Sequence, residues 1–166
     1  ENLRISKKGI IHWIPLETQL GNNKITIERV SKEKTERFSL SVFVNSPPRI
    51  SYRPDNIEYI NLKETFMFKM RSFDANINQP AQWLLRKSPK GMNIAADNTL
   101  RWEANEPDYF SYAIELTDTI DYEMFYGEIY VNDPPKIIST PAEYVELGDT
   151  FYYNINVEDA NQKSPE

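Results

Sequence analysis

Two Asp-x-Asn triplets, Asp74-Ala75-Asn76 and Asp159-Ala160-Asn161, carry the most suggestive donor chemistry of this chain. Carboxylate and amide oxygens suit a hard cation such as calcium, which takes about six to eight oxygen ligands. The same triplet also reads as an Asx-turn, in which the aspartate side chain bonds its own backbone. The chain has no cysteine, which removes thiolate metal sites, cysteine nucleophiles and disulfides together. His12 is the only histidine and alternates away from the Ile11/Trp13 face, so nothing builds a Ser-His-Asp triad around it. The 25 acids offer many carboxylate pairs for glycoside hydrolysis, but nothing selects one pair. With no glycine-rich phosphate loop either, the chain reads as non-catalytic.

The elements that must position these groups repeat every two residues. Phe66, Phe68 and Met70 alternate with Thr65, Lys69 and Arg71, with Met67 out of pattern. Phe151, Tyr153, Ile155 and Val157 alternate with Tyr152, Asn154 and Asn156, and Tyr112, Ile114 and Leu116 with Ala113, Glu115 and Thr117. This apolar-in, polar-out pattern is that of half-buried strands. Breaks at Pro, Gly, Asn and Asp every eight to twelve residues or so, without an amphipathic helix, predict an all-β antiparallel sandwich. Strands are expected near 48–52, 57–61, 65–73, 81–86, 98–103, 110–117 and 123–132.

The chain also copies itself. Gly9-Ile10-Ile11-His12-Trp13 returns as Asn98-Thr99-Leu100-Arg101-Trp102, and Val44-Asn45-Ser46-Pro47-Pro48 as Val131-Asn132-Asp133-Pro134-Pro135. Ile60–Phe68 returns as Val145–Tyr153 at an offset of 85 residues, as do the Asp-x-Asn triplets, and with the offsets of 89 and 87 of the first two pairs the period is about 87 residues, a whole small domain. The expected division is a C-terminal half-repeat at 1–46, a complete repeat at 47–133 and an N-terminal half-repeat at 134–166. Each Pro-Pro pair fixes φ and removes N–H donors, so the last strand of one repeat cannot run on into the next sheet. A semi-rigid array follows.

The net charge of −6 argues against a nucleic-acid partner, and no apolar run is long enough for a spanning helix. Trp13 and Trp102 hold equivalent positions in phase with Ile11 and Leu100, which places them in the core rather than on a sugar-stacking platform. Tyr126 and Tyr130 alternate outward from the last strand of the complete repeat.

These landmarks resemble the cadherin-like, dystroglycan-type and immunoglobulin-like repeats found in tandem in bacterial surface and secreted proteins. The resemblance rests on Gly148-Asp149-Thr150-Phe151-Tyr152-Tyr153 before Asp159-Ala160-Asn161, on Pro89-Lys90-Gly91-Met92-Asn93-Ile94, on Asn98 to Trp102, and on Leu116-Thr117-Asp118. Lys63 stands where the pattern has glycine, and Asn98 replaces the glycine of a tight turn. Asparagine tolerates the left-handed backbone such a turn needs.

The resemblance implies calcium as cofactor, gathered at repeat junctions by Asp74, Asn76, Asp118, Asn132, Asp133, Asp159 and Asn161. A twelve-residue EF-hand loop beginning at Asp74 is rejected, because Gln79 and Leu85 stand where glycine and glutamate are required. It further implies a structural or adhesive module, extracellular, on the cell surface or in the periplasm. Its partners are neighbouring repeats and a surface protein or glycan. The alternatives are a carbohydrate-binding accessory region of a secreted hydrolase and a strut of an envelope or secretion assembly. The exposed inner faces of the half-repeats, Phe38, Val42 and Val44 at one end and Phe151 to Val157 at the other, also allow head-to-tail exchange between copies.

Overall fold

The computed structural model describes residues 3–161. Residues 1, 2 and 162–166, the outer ends of the two expected half-repeats, lie outside the described residues. In chain order the strands are β1 (Leu3–Ile5), β2 (Ile11–Trp13), β3 (Gly21–Val30), β4 (Thr35–Val44), β5 (Arg49–Tyr52), β6 (Ile57–Asn61), β7 (Thr65–Lys69) and β8 (Arg71–Phe73). They continue as β9 (Gln82–Lys87), β10 (Asn93–Ile94), β11 (Thr99–Glu103), β12 (Tyr109–Thr117), β13 (Tyr122–Asn132), β14 (Lys136–Ile137) and β15 (Val157–Glu158). The class is the expected one, an all-β, immunoglobulin-like sandwich. β4 stops before Pro47 and β13 before Pro134, and new strands begin only at Arg49 and Lys136, as the missing proline donors require.

Contacts divide the described chain into two compact units. The first takes residues up to 51 together with 72–82 and 116–123; the second takes 52–71, 83–115 and the residues from 124 onward. In the first unit β1 pairs antiparallel with β2, and β3 with β4 from Gly21↔Val44 to Val30↔Thr35. The hairpin closes where Ser31 N–H donates to Lys34 O at 2.9 Å. Its apolar face, Ile25, Ile27, Leu40 and Val42, is only half-buried, and Phe38 is 63% exposed.

The second unit holds the closed core. A three-stranded sheet, β10-β11-β7, supplies buried Phe66, Leu100 and Trp102, and a four-stranded sheet, β6-β13-β12-β9, supplies Tyr112, Ile114, Phe125, Ile129 and Val131. Tyr112 meets Phe66 at 6.4 Å and Phe125 at 6.0 Å between ring centroids. Gly127 lies under the same ring: a Cβ there would stand 2.3 Å from Tyr112 Cζ, so close approach, not backbone freedom, requires the glycine. Burial, and secondarily the charge of Glu58, pushes the Tyr112 hydroxyl well above its usual range. That hydroxyl has no hydrogen-bond partner among the described residues.

The repeat seen in sequence is also a repeat of hydrogen bonds. Arg4↔His12 and Ile5↔Ile11 on β1/β2 correspond to Asn93↔Arg101 and Ile94↔Leu100 on β10/β11. Ser6 N–H donates to Ile10 O at 2.8 Å and Gly9 N–H to Ser6 O at 2.9 Å; Ala95 N–H to Thr99 O and Asn98 N–H to Ala95 O copy them at 2.9 Å each. Gly9 and Asn98 share a left-handed backbone, φ 78° and 65°, as do Gly148 and Lys63, φ 100° and 69°. The departures from glycine therefore change the residue and keep the turn.

Three features differ from the sequence expectation. The segment 65–73 divides at Met70, which is 2% exposed and donates its N–H to Asn98 O at 3.0 Å, leaving β7 and β8 in different sheets. β6 runs parallel to β13, Tyr59 opposite Tyr130, because the chain turns at buried Pro54 and reaches the edge of the four-stranded sheet beside the last strand. Residues 151–156 form no strand, and only Val157–Glu158 pairs, with β14. Phe151 and Ile155 are 49% and 60% exposed: alternation alone does not hold a strand without a second sheet to bury it.

Candidate functional site

Where β8 ends, Asp74 Oδ1 accepts from Asn76 N–H at 2.7 Å, closing an Asx-turn. The turn aims the Asn76 amide at the chain just before Pro47. Asn76 Oδ1 accepts from Ser46 N–H at 2.7 Å, and Asn76 Nδ2 donates to Val44 O at 3.0 Å. Both arms of one amide thus bridge two backbone groups at the end of β4, just before Pro47 and Pro48, which offer no donor. Asn76 is 6% exposed, so these are buried bonds.

The second junction repeats the arrangement atom for atom. Asn161 N–H donates to Asp159 Oδ1 at 2.8 Å, Asp133 N–H donates to Asn161 Oδ1 at 2.6 Å, and Asn161 Nδ2 donates to Val131 O at 2.9 Å. Asn132 extends the ladder, pairing with Asn61 while its carbonyl accepts from Leu62 N–H at 2.7 Å. Asp133 turns its carboxylate to Lys136 at 3.1 Å.

Asp118 belongs to the first junction. It is fully buried in the turn after β12, where Oδ1 accepts from Ile120 N–H at 2.8 Å and Asp121 N–H at 2.7 Å. Oδ2 accepts from Asn45 Nδ2 at 2.8 Å, and Gln79 Nε2 donates to the Asp118 carbonyl. Burial by itself would raise the carboxyl, but the donors from Asp121, Asn45 and Ile120 outweigh it and hold the pKa below the ordinary value. The turn is strained: Thr119, a β-branched residue, sits at φ 76°.

The expected ligands therefore divide between the junctions, Asp74, Asn76 and Asp118 at one and Asn132, Asp133, Asp159 and Asn161 at the other. Most of their polar atoms are spent on the chain itself. Among the described residues no group of three or more His, Asp or Glu side chains comes together to hold a metal ion. Two oxygens at the first junction, Asp74 Oδ2 and Asn45 Oδ1, are buried without a hydrogen-bond partner. Sequence reasoning missed Asn45, Gln79 and Glu123, whose Oε2 accepts from Ile50 N–H at 2.7 Å. The recurrence of Asn45 as Asn132 was the available signal.

The other singled-out residues take ordinary places. Trp102 is 4% exposed, donates Nε1–H to Lys90 O at 3.1 Å and meets Phe110 edge-on at 4.8 Å, a core tryptophan as its phase predicts. Trp13, expected in the core by the same phase, is only half-buried, because the β1-β2 pair stands as a two-stranded sheet, and His12 is exposed on β2. No helix among the described residues is long and apolar enough to cross a membrane.

Sequence comparison finds no matching family model and no matching curated protein. Solved structures share the fold. Extracellular domains 3-5 of Drosophila OTK superpose with a TM-score of 0.61 at 11% identity over 79% of this chain and 46% of that one. An I-band fragment of titin gives 0.57 at 12% identity, over 85% and 53%, and the first four immunoglobulin domains of Sidekick-1 give 0.53 at 13%, over 76% and 36%. The chain thus spans about half or less of the length of each. The likeness establishes an immunoglobulin-like sandwich fold.

Proposed function

We propose that this chain is a non-catalytic structural and adhesive module, a segment of a tandem sandwich array that serves as semi-rigid spacer and binding scaffold in an exported bacterial protein. Its repeats run as 1–46, 47–133 and 134–166, and its setting is extracellular, cell-surface or periplasmic. The observation that carries this reading is the duplicated asparagine clasp, which ties the end of one repeat's last strand to the Asp-x-Asn loop of the next at both Pro-Pro junctions. A spacer needs such junctions to be stiff. Backbone 15N relaxation tests it: amides of β3/β4 and of 72–82 should share one correlation time, and Asn76→Ala should let them diverge. Independent tumbling already in the unaltered chain would sink the spacer reading.

Calcium is a second reading, favoured only by the two orphaned oxygens of Asp74 and Asn45 at the first junction. Those residues would hold the ion, and it would supply charge neutralisation and stiffening there. The exposed half-repeat faces, Phe38 at one end and Phe151, Ile155 and Val157 at the other, are where neighbouring repeats, or a second copy joined head to tail, would complete the sandwiches. A monomer by sedimentation with both half-repeats folded would exclude the exchange.

A further inference from the structure

β4 is the counterpart of β13: Glu36, Phe38, Val42, Phe43 and Val44 recur 87 residues on as Glu123, Phe125, Ile129, Tyr130 and Val131. β13 is flanked on both sides, by β12 and by β6, whereas among the described residues β4 pairs with β3 alone. Its outer edge is an open row of backbone donors and acceptors. What β4 lacks is the equivalent of β6.

Residues 142–147 supply that sequence. Glu143-Tyr144-Val145-Glu146-Leu147 repeats Glu58-Tyr59-Ile60-Asn61-Leu62 at the 85-residue offset. The turn that follows is already built alike: Asp149 N–H donates to Glu146 O at 3.1 Å as Glu64 N–H does to Asn61 O at 3.0 Å, and Gly148 and Lys63 share the left-handed backbone. Yet residues 142–147 belong to no sheet and are exposed throughout, Tyr144 by 84%.

The pairing of β6 with β13 sets the register. It runs parallel from Ile57↔Glu128 to Asn61↔Asn132, bracketed by Glu128 N–H donating to Asn56 O at 2.8 Å and Leu62 N–H donating to Asn132 O at 2.7 Å. Carried over by the two offsets, the ladder runs from Ala142 opposite Ser41 to Glu146 opposite Asn45. Ser41 N–H then donates to Pro141 O, and Leu147 N–H to Asn45 O. Val145 falls against half-buried Val44 on the inner face, as Ile60 pairs with fully buried Val131. Tyr144 falls against exposed Phe43 on the outer face, as Tyr59 pairs with Tyr130 at 5.8 Å between ring centroids. A slip of one residue would turn Val145 outward, so the apolar pattern holds this register.

We propose that the outer edge of β4 is a docking edge for residues 142–147 of a second copy of this chain, added as a parallel strand with Val145 opposite Val44 and Tyr144 opposite Phe43. Main-chain bonds supply the attraction and the alternate side chains the specificity. Resting on the reading of the chain as a tandem array, this edge gives the head-to-tail exchange its site and register.

The chain has no cysteine, so an introduced disulfide can report the contact. Mixing Phe43→Cys with Tyr144→Cys chains in a glutathione redox buffer should give mixed dimers in several-fold excess over either like pair, because only the mixed pair comes within disulfide reach. Phe43→Cys with Val145→Cys, whose side chains leave opposite faces, should give only the statistical mixture. The unaltered chain should show association in sedimentation that grows with concentration. An excess of the peptide acetyl-Pro-Ala-Glu-Tyr-Val-Glu-Leu-amide should suppress it and move the amide resonances of Ser41, Phe43 and Asn45, and a scrambled peptide should do neither. A monomer at every concentration, like and mixed disulfides in statistical proportion, or indifference to the peptide would overturn the proposal. The peptide titration needs no variant, so it decides even if a cysteine chain misfolds. Failure of the spacer reading would appear instead in the junction relaxation, which neither the disulfides nor the peptide reads.

Discussion

Asn76 and Asn161 make the same pair of bonds one repeat apart, each accepting from the backbone N–H that precedes a Pro-Pro and donating to the carbonyl two residues before that donor. The donor residue changes from Ser46 to Asp133, yet the bonds persist because only backbone atoms are used. A junction built this way tolerates side-chain drift at the donor and none at the asparagine. Aspartate at 76 would keep the acceptor for Ser46 but set a carboxylate oxygen against the Val44 carbonyl.

The left-handed turns give an asymmetric pair of substitutions. Lys63 sits at φ 69° where its counterpart Gly148 sits at 100°, and a lysine there carries a backbone cost of about 1 kcal/mol. Lys63→Gly should raise stability by about that amount in urea unfolding, the exposed bond to Asn105 contributing little. Asn98→Gly should change it by less than about 0.5 kcal/mol, since asparagine already accepts φ 65°.

Tyr112 and Gly127 fix the spacing of the core. Gly127→Ala drives a methyl into the ring and should destabilise the fold by about 1–3 kcal/mol. Tyr112→Phe removes a buried hydroxyl with no partner and should be neutral or stabilising by about 1 kcal/mol. A loss of stability in Tyr112→Phe would show that the hydroxyl is satisfied in solution.

Acid should weaken the fold through Asp118 and Asp97. Both carboxyls lie below their ordinary value in the folded chain, Asp97 at about 2, held there chiefly by Lys69 and then Thr99. A depressed carboxyl contributes stability above the unfolded pKa of about 3.9, and that contribution is lost as pH falls through the folded value. Urea midpoints should therefore drop on going from about pH 5 toward pH 2. Asp118→Asn should flatten that slope, at the cost of a less stable protein near neutrality.

The clasps use only the chain's own donors and acceptors, so chelation by EDTA should leave the melting temperature within about 1 °C. A fall of several degrees that calcium restores, and that Asp74→Ala abolishes, would favour the cation reading at the first junction.

Much of the fold was legible because period-two alternation reports which way a side chain faces. The segments expected near 57–61, 110–117 and 123–132 appear as Ile57–Asn61, Tyr109–Thr117 and Tyr122–Asn132. Asn98 and Lys63 were readable as left-handed positions by comparison with Gly9 and Gly148. What alternation does not encode is the long-range partner. It could not show that Met70 leaves one sheet for another, that β6 lies parallel to β13, or that residues 151–156 go unpaired. The Asp-x-Asn triplets announced a polar turn, but their partners, Val44 and Ser46, lie far back in sequence and contribute only backbone, which leaves no trace in residue type.

Amide hydrogen exchange at Ser46 and Asp133 tests the duplicated clasp most directly. Both N–H groups should be protected in the unaltered chain. Asn76→Ala should lower protection at Ser46 by about tenfold or more while sparing Asp133, and Asn161→Ala should do the reverse. Unprotected amides at both positions, or protection indifferent to the asparagines, would contradict the account.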